Sequence, residues 1–226
     1  MSLNRNSVAT PTDVLGERGE ASPVQQSAPA RPSLRMLRPH LEGLPPLAPA
    51  LAALPSGYQC RHYRHGDEAA WAAVMNTGQM GEWDIARTRA DLTGRPYPQF
   101  DPEGLFILTY GHDEQVVGSA CAWLEHIDHP ESGTLHMVCV LPAHRGQRLA
   151  YPLCLAVLHW HRSRGMRRVS LTTHEWRLGA IKQYLELGFR PVISHALHPE
   201  QWRGVVSALA WEGDMTPVGE PVATTA

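Results

Sequence analysis

Between His144 and Ala150 the chain reads HRGQRLA, a short basic stretch with one glycine, set between an alternating apolar strand and an amphipathic helix. The strand is Thr134-Leu135-His136-Met137-Val138-Cys139-Val140, closed by Pro142. The helix carries Leu149, Leu153, Ala156, Val157 and Trp160 at three- and four-residue spacing. A turn placed there is suited to an anion. The first amides of a helix have no intrahelical acceptor, the helix dipole is positive at that end, and Arg145 and Arg148 add charge. Pro152 agrees with this geometry, because a residue in the first turn has no use for its N–H.

The histidines and cysteines raise metal and thiol chemistry. His159 and His161 are two apart on a helix and so point to different faces, while His126, Asp128 and His129 form a polar turn before Pro130. Neither set is assigned a metal. Cys60, Cys121, Cys139 and Cys154 contain no CxxC pair, and three of them lie in apolar patterns, which reads as buried thiols in a reducing compartment.

Positioning these residues requires a framework, and the sequence predicts one. A strand is expected from Tyr58 to about Arg64, then a helix after Gly66-Asp67 with Ala70, Trp71, Val74 and Met75 on one face, and a second helix from Asp84 to Leu92. Leu105–Tyr110 and Val116–Leu124 read as paired strands joined by the turn Gly111-His112-Asp113-Glu114. After the 134–140 strand and its helix come a strand at Val169–Thr173, a helix from Ala180 closed by Gly188, and a strand from Phe189 to about Ser194. Trp202–Trp211 reads as a helix following Pro199, or as a final strand. The order β-α-α-β-β-β-α-β-α-β implies an α+β fold with a mixed, largely antiparallel sheet flanked by helices.

Outside that block the composition changes. Residues 1–33 and 213–226 are rich in Ser, Pro, Ala, Gly and Thr without periodicity and are expected to be disordered or flexible tails. Residues 34–56 are read as an irregular Pro/Leu-rich arm, since Pro45, Pro46, Pro49 and Pro55 preclude a continuous helix. That leaves one domain over 57–212. The formal charge of -2 disfavours a polyanionic partner such as nucleic acid. No apolar run reaches membrane-spanning length and no secretory leader is evident, so a cytoplasmic location is expected.

Two motifs together carry a resemblance. The loop from Arg145 to Ala150, and AIKQYLELGFRPV from Ala180 to Val192 with Tyr184, Gly188 and Phe189, resemble the GCN5-related N-acetyltransferase superfamily. Its pyrophosphate loop has the form Arg/Gln-x-x-Gly-x-Gly/Ala, and a later helix ends in Tyr-x-x-x-Gly-Phe. The resemblance spans about Gly57 to Trp211. Arg145, Gly146 and Ala150 match the loop, whereas Arg148 stands where glycine is usual, and Arg177 stands where many relatives carry asparagine. Arg148 is expected in an ordinary helical conformation with its guanidinium bent over the pyrophosphate.

What the resemblance implies is an acetyl-CoA-dependent N-acetyltransferase acting on a primary amine of a small molecule or peptide, by direct attack in a ternary complex. It implies an acetyl-CoA site built from Val138 and Val140 on the strand, Arg145, Gly146, Gln147, Arg148, Leu149 and Ala150 in the loop, and Arg177. Tyr184 is implied to assist the departing thiolate. Donating outright to a thiolate of pKa about 8.5 is uphill by roughly 2 kcal/mol for a phenol near 10, so a hydrogen bond or a water relay is the expected form. His136 is the candidate base, since an attacking amine must be neutral and histidine titrates in the useful range. The run LHMVCV is similar to the strand of arylalkylamine N-acetyltransferases, with Thr134 at the place of a second histidine. Glu125 and His126 are the fallback. Trp71, Trp83 and Tyr97 suggest an aromatic acceptor pocket, and a homodimer is allowed. A non-catalytic acyl-CoA-binding module with the same fold is the alternative.

Overall fold

Short apolar runs produce the strands of this chain, and the three longest of them lie side by side in the sheet. The computed structural model describes residues 31–78, 81–93, 100–124 and 131–219. The elements in chain order are β1 (Leu34–Arg38), α1 (Leu47–Ala52), β2 (Tyr58–His62), α2 (Glu68–Thr77), α3 (Ile85–Thr93), β3 (Phe100–Tyr110) and β4 (Gln115–Leu124). They continue with β5 (Ser132–Val140), α4 (Ala150–Ser163), β6 (Arg168–Thr173), α5 (Leu178–Glu186), β7 (Arg190–Val192) and α6 (His198–Leu209). A 3₁₀ turn at Pro142–His144 links β5 to α4. The C-terminal apolar stretch is thus a helix, with Pro199 in its first turn.

The seven strands lie in the order β2-β3-β4-β5-β6-β1-β7. All neighbouring pairs are antiparallel except β5 and β6, which run parallel. Helix α4 covers β3, β4 and β5 on one face, while α2 covers β4 and β5. Each side has its own core. Leu153, Leu155 and Leu158 of α4 are fully buried with Leu34, Met36 and Leu108, and each leucine contributes on the order of 2 kcal/mol. Trp71, Val74 and Met75 of α2 pack with Leu105, Ile107 and Cys121 in the second cluster. Ala70 is exposed and Ala72 takes its place on the buried face of α2.

The segment read as an irregular arm contains a strand in the sheet's interior. Leu34–Arg38 lies between β6 and β7, pairing Met36 with Leu171 on one side and Pro191 on the other. Leu34 and Met36 are fully buried, and the prolines begin only at Pro39, after the strand. Those at Pro45, Pro46 and Pro49 confine α1 to six residues. Part of the expected C-terminal tail is also fastened down. Strand β7 closes the sheet, and Val218 donates its N–H to Pro191 while Asp214 pairs with Arg190 at 2.6 Å.

Strands β5 and β6 part soon after they meet. Only Ser132, Gly133 and Thr134 have partners in β6. Beyond them β5 is bulged: Met137 has φ 52, and the register with β4 slips between Ser119 and Cys121. The bulge is held from the α2 side. The Trp71 indole donates to Ser119 Oγ at 3.0 Å, and Ser119 in turn donates to the Met137 carbonyl at 3.0 Å. At the foot of the gap His161 is fully buried with its Nε2 at 3.2 Å from the Thr134 carbonyl, and a Cβ on Gly133 would strike its ring.

Candidate active site

A cavity of about 530 Å³ occupies the gap between the parted strands. Val138, Cys139 and Val140 of β5 form one wall, the turn from His144 to Ala150 another, and the start of α5 with Gln183 and Tyr184 the third. Two helix N-termini, those of α4 and α5, therefore open into one space, each with first-turn amides lacking intrahelical acceptors. Two arginines of the cavity are tied to the end of α2. Arg145 donates from Nε to the Val140 carbonyl at 2.8 Å and from Nη2 to the Thr77 carbonyl at 3.4 Å, while Arg177 donates from Nη2 to the Gly78 carbonyl at 2.8 Å. Their charge complements the negative end of α2 and faces the cavity.

The turn itself is made by two left-handed residues, Gly146 at φ 82 and Arg148 at φ 57. Arg148 is thus not helical, contrary to the sequence expectation. It adopts the backbone conformation that glycine takes without cost, and its side chain turns away to Glu186 on α5, Nη2 to Oε2 2.8 Å. Leu149 is buried against α4's core, Ala150 opens the helix, and Pro152 is in the first turn. Gln147 points to Tyr58 on β2, 3.0 Å away.

Tyr184 is buried, its ring edge-on to Phe189 at 6.0 Å, and it lines the cavity. Burial pushes its phenol well above the usual tyrosine range, with Cys154 adding to the shift and the Arg177 charge opposing it. The hydroxyl makes no hydrogen bond to another described residue. Gly188, at φ 81, ends α5 and admits the Arg38 guanidinium of β1, which donates to the Leu187 carbonyl. The interior strand and the Tyr184 helix are thereby joined.

One profile settles the ancestry of this arrangement: that of the Acetyltransferase (GNAT) family matches residues 70–189, more than half of the chain. The chain belongs to that family. It is 32% identical to the mycothiol acetyltransferase of Nocardia farcinica over 75% of this chain and 58% of that one. It is 31% identical to the mycothiol acetyltransferase of Mycobacteroides abscessus over 66% and 53%. The chain thus spans little more than half the length of these relatives. Among solved structures, a GCN5-related N-acetyltransferase from Sphaerobacter thermophilus superposes with TM-score 0.56 at 25% identity, covering 71% of this chain and 49% of that one. A tandem GNAT protein of the clavulanic acid biosynthesis pathway shares the fold, with TM-score 0.52 at 21% identity over 70% and 50%.

Within this family member, the residues expected for the acyl carrier come together and the expected base does not join them. Val138, Val140, Arg145, Gly146, Arg148, Leu149, Ala150, Arg177 and Tyr184 all line the cavity, and Gln147 lies beside it in the turn. His136 is exposed, with its ring 5.5 Å from Trp123. The bulge explains this. In an unbroken strand His136 and Val138 would share a face, but the extra residue at Met137 leaves His136 opposite Cys121 on the α2 side and swings Val138 toward α4. Trp71 and Trp83 are core residues, ring centroids 5.5 Å apart. Tyr97, Glu125, His126, Asp128 and His129 lie outside the described residues. His159 donates from Nε2 to the Pro45 carbonyl and His161 from Nε2 to that of Thr134, so the two rings face apart. Among the described residues no three His, Cys, Asp or Glu side chains gather as a metal site, and no helix is long and apolar enough to cross a membrane. All four cysteines are free.

Proposed function

We propose that this chain is an acetyl-CoA-dependent N-acetyltransferase whose acceptor is the primary amine of a small molecule, of the mycothiol-related kind named for its relatives. The observation that carries this reading is the convergence, in one cavity, of a left-handed basic turn at the start of α4, a strand wall freed from β6, and the buried Tyr184 phenol. The fit to a pyrophosphate is good. Helix-start amides and the arginines supply donors and positive charge, and the cavity volume is that of a ligand site.

Acetyl-CoA supplies an acetyl group already activated as a thioester, so no nucleophile of the protein is needed. Val138 has no register partner in β4 or β6, and its amide offers a donor where negative charge develops on the carbonyl oxygen. Tyr184 remains protonated at neutral pH and donates a hydrogen bond to the departing sulfur. His136, on the other face of β5, accepts the amine proton through intervening water rather than directly. Arg145 and Arg177 hold positive charge at the cavity wall without moving.

Native mass spectrometry with acetyl-CoA and a panel of amines, mycothiol-related ones included, tests this reading. One acceptor should gain a single acetyl group as free CoA appears in equal amount. Tight acetyl-CoA binding with no acceptor acetylated would identify a binding module instead.

A further inference from the structure

His144 has a role in the cavity that neither the loop motif nor its relatives' names assign. It sits on the 3₁₀ turn just before Arg145, lines the cavity, and is packed by two tyrosines from outside the loop. The Tyr110 ring of β3 lies 5.2 Å away and the Tyr58 ring of β2 5.7 Å away, the latter edge-on. The Tyr58 hydroxyl is 2.8 Å from His144 Nδ1 and 3.0 Å from Gln147 Nε2.

The one accept-only partner in this cluster, a backbone carbonyl, orients the Gln147 amide. Gln147 Nε2 also reaches the His144 carbonyl at 3.4 Å, and a carbonyl only accepts, so that atom is the amide nitrogen. It therefore donates to the Tyr58 oxygen as well. The Tyr58 oxygen, already accepting from Gln147, has its own hydrogen free for His144 Nδ1, an arrangement that leaves Nδ1 as the acceptor. A neutral His144 carries its proton on Nε2, and that N–H has no acceptor among the described residues. The charged groups on the same cavity are Arg145, Arg148 and Arg177, all cationic. With Arg148 paired to Glu186, a neutral donor beside Arg145 and Arg177 is matched to an anion.

We propose that His144, fixed as the Nε2–H tautomer by Tyr58 and Gln147, is a further phosphate-binding residue of this cavity, donating to the phosphate groups of the acyl carrier. This rests on the acetyl-CoA reading above. It also gives Tyr58 and Gln147 a function as positioning residues, fastening the loop to the β2–β3 edge and selecting the tautomer.

Nitrogen-15 NMR of the unliganded protein, with the His144 signal assigned by its loss in His144→Phe, reads the tautomer directly. The Nε2–H form is expected; the Nδ1–H form overturns the proposal without any ligand. The second measurement compares CoA with pantetheine, which lacks the phosphates. His144→Phe keeps the aromatic packing and should weaken CoA about tenfold while leaving pantetheine unchanged, the loss of one hydrogen bond to a charged group. Tyr58→Phe should weaken CoA less, and the double variant should bind no worse than His144→Phe alone. Equal losses for CoA and pantetheine, or CoA binding unchanged in His144→Phe, would reduce His144 to packing. Failure of the wild-type chain to bind CoA at all would instead sink the acetyl-CoA reading, and this proposal with it.

Discussion

At Arg148 a side chain occupies a backbone conformation that disfavours one. The left-handed region costs a non-glycine residue about 1–2 kcal/mol, and the exposed pair with Glu186 returns at most about 1 kcal/mol. Arg148→Gly should therefore raise stability by up to about 1 kcal/mol in denaturant titrations and leave acetyl-CoA binding at least as tight. A clear loss of stability or affinity would show that the guanidinium matters more than the turn. Tyr184 presents the complementary case of a group whose surroundings set its chemistry. Because burial raises its phenol, turnover should show no fall as pH passes through the ordinary tyrosine range near 10. Tyr184→Phe should lower turnover far more than it weakens acetyl-CoA binding, in steady-state kinetics set beside a direct binding measurement. A phenylalanine variant with full turnover would leave Tyr184 a packing residue.

Among elements, the junction of α4 with β5 carries a pH-dependent weakness. Burial lowers His161 from its ordinary 6.5 to about 4. The unfolded chain therefore takes up that proton first as pH falls. The stability due to the neutral ring is complete above about 6.5, and on the order of 3 kcal/mol is lost as pH falls to about 4. His161→Phe should flatten the stability profile across that window, at some cost at neutral pH because the Thr134 carbonyl loses its donor; an unchanged acid slope would place the lability elsewhere. Strand β1 is equally testable. Met36 is fully buried between β6 and β7, so Met36→Ala should cost about 2–5 kcal/mol by chemical denaturation, whereas a peripheral arm would barely register it. That strand also marks where reading the sequence stopped working. Strand β5, its turn and α4, like the Tyr184–Gly188–Phe189 motif, are local patterns and could be read from spacing alone. Leu34–Arg38 is five residues long, and its partners lie more than 130 positions away, at 169–173 and 190–192, so no local signal separated it from the proline-rich stretch beside it. The bulge at Met137 was hidden for a different reason: strict alternation places His136 with Val138, and the extra residue shows only in the register with β4, held there by the Trp71–Ser119–Met137 contacts. At Arg148 the sequence showed a helix start but not the dihedral that precedes it.

Over the whole molecule, these devices serve one space. The sheet is covered by separate cores on its two faces, and the cavity lies where its parallel pair opens. On the proposed reading acetyl passes directly from the acyl carrier to the amine, with no stop on the protein. The measurement that tests it most directly is a rapid-quench single turnover, following CoA thiol release and intact-protein mass with and without the acceptor amine. Direct transfer predicts that thiol appears only when amine is present, in step with acetylated acceptor, and that the protein's mass never changes. A burst of thiol without amine, matched by an acetyl group on the protein, would contradict it.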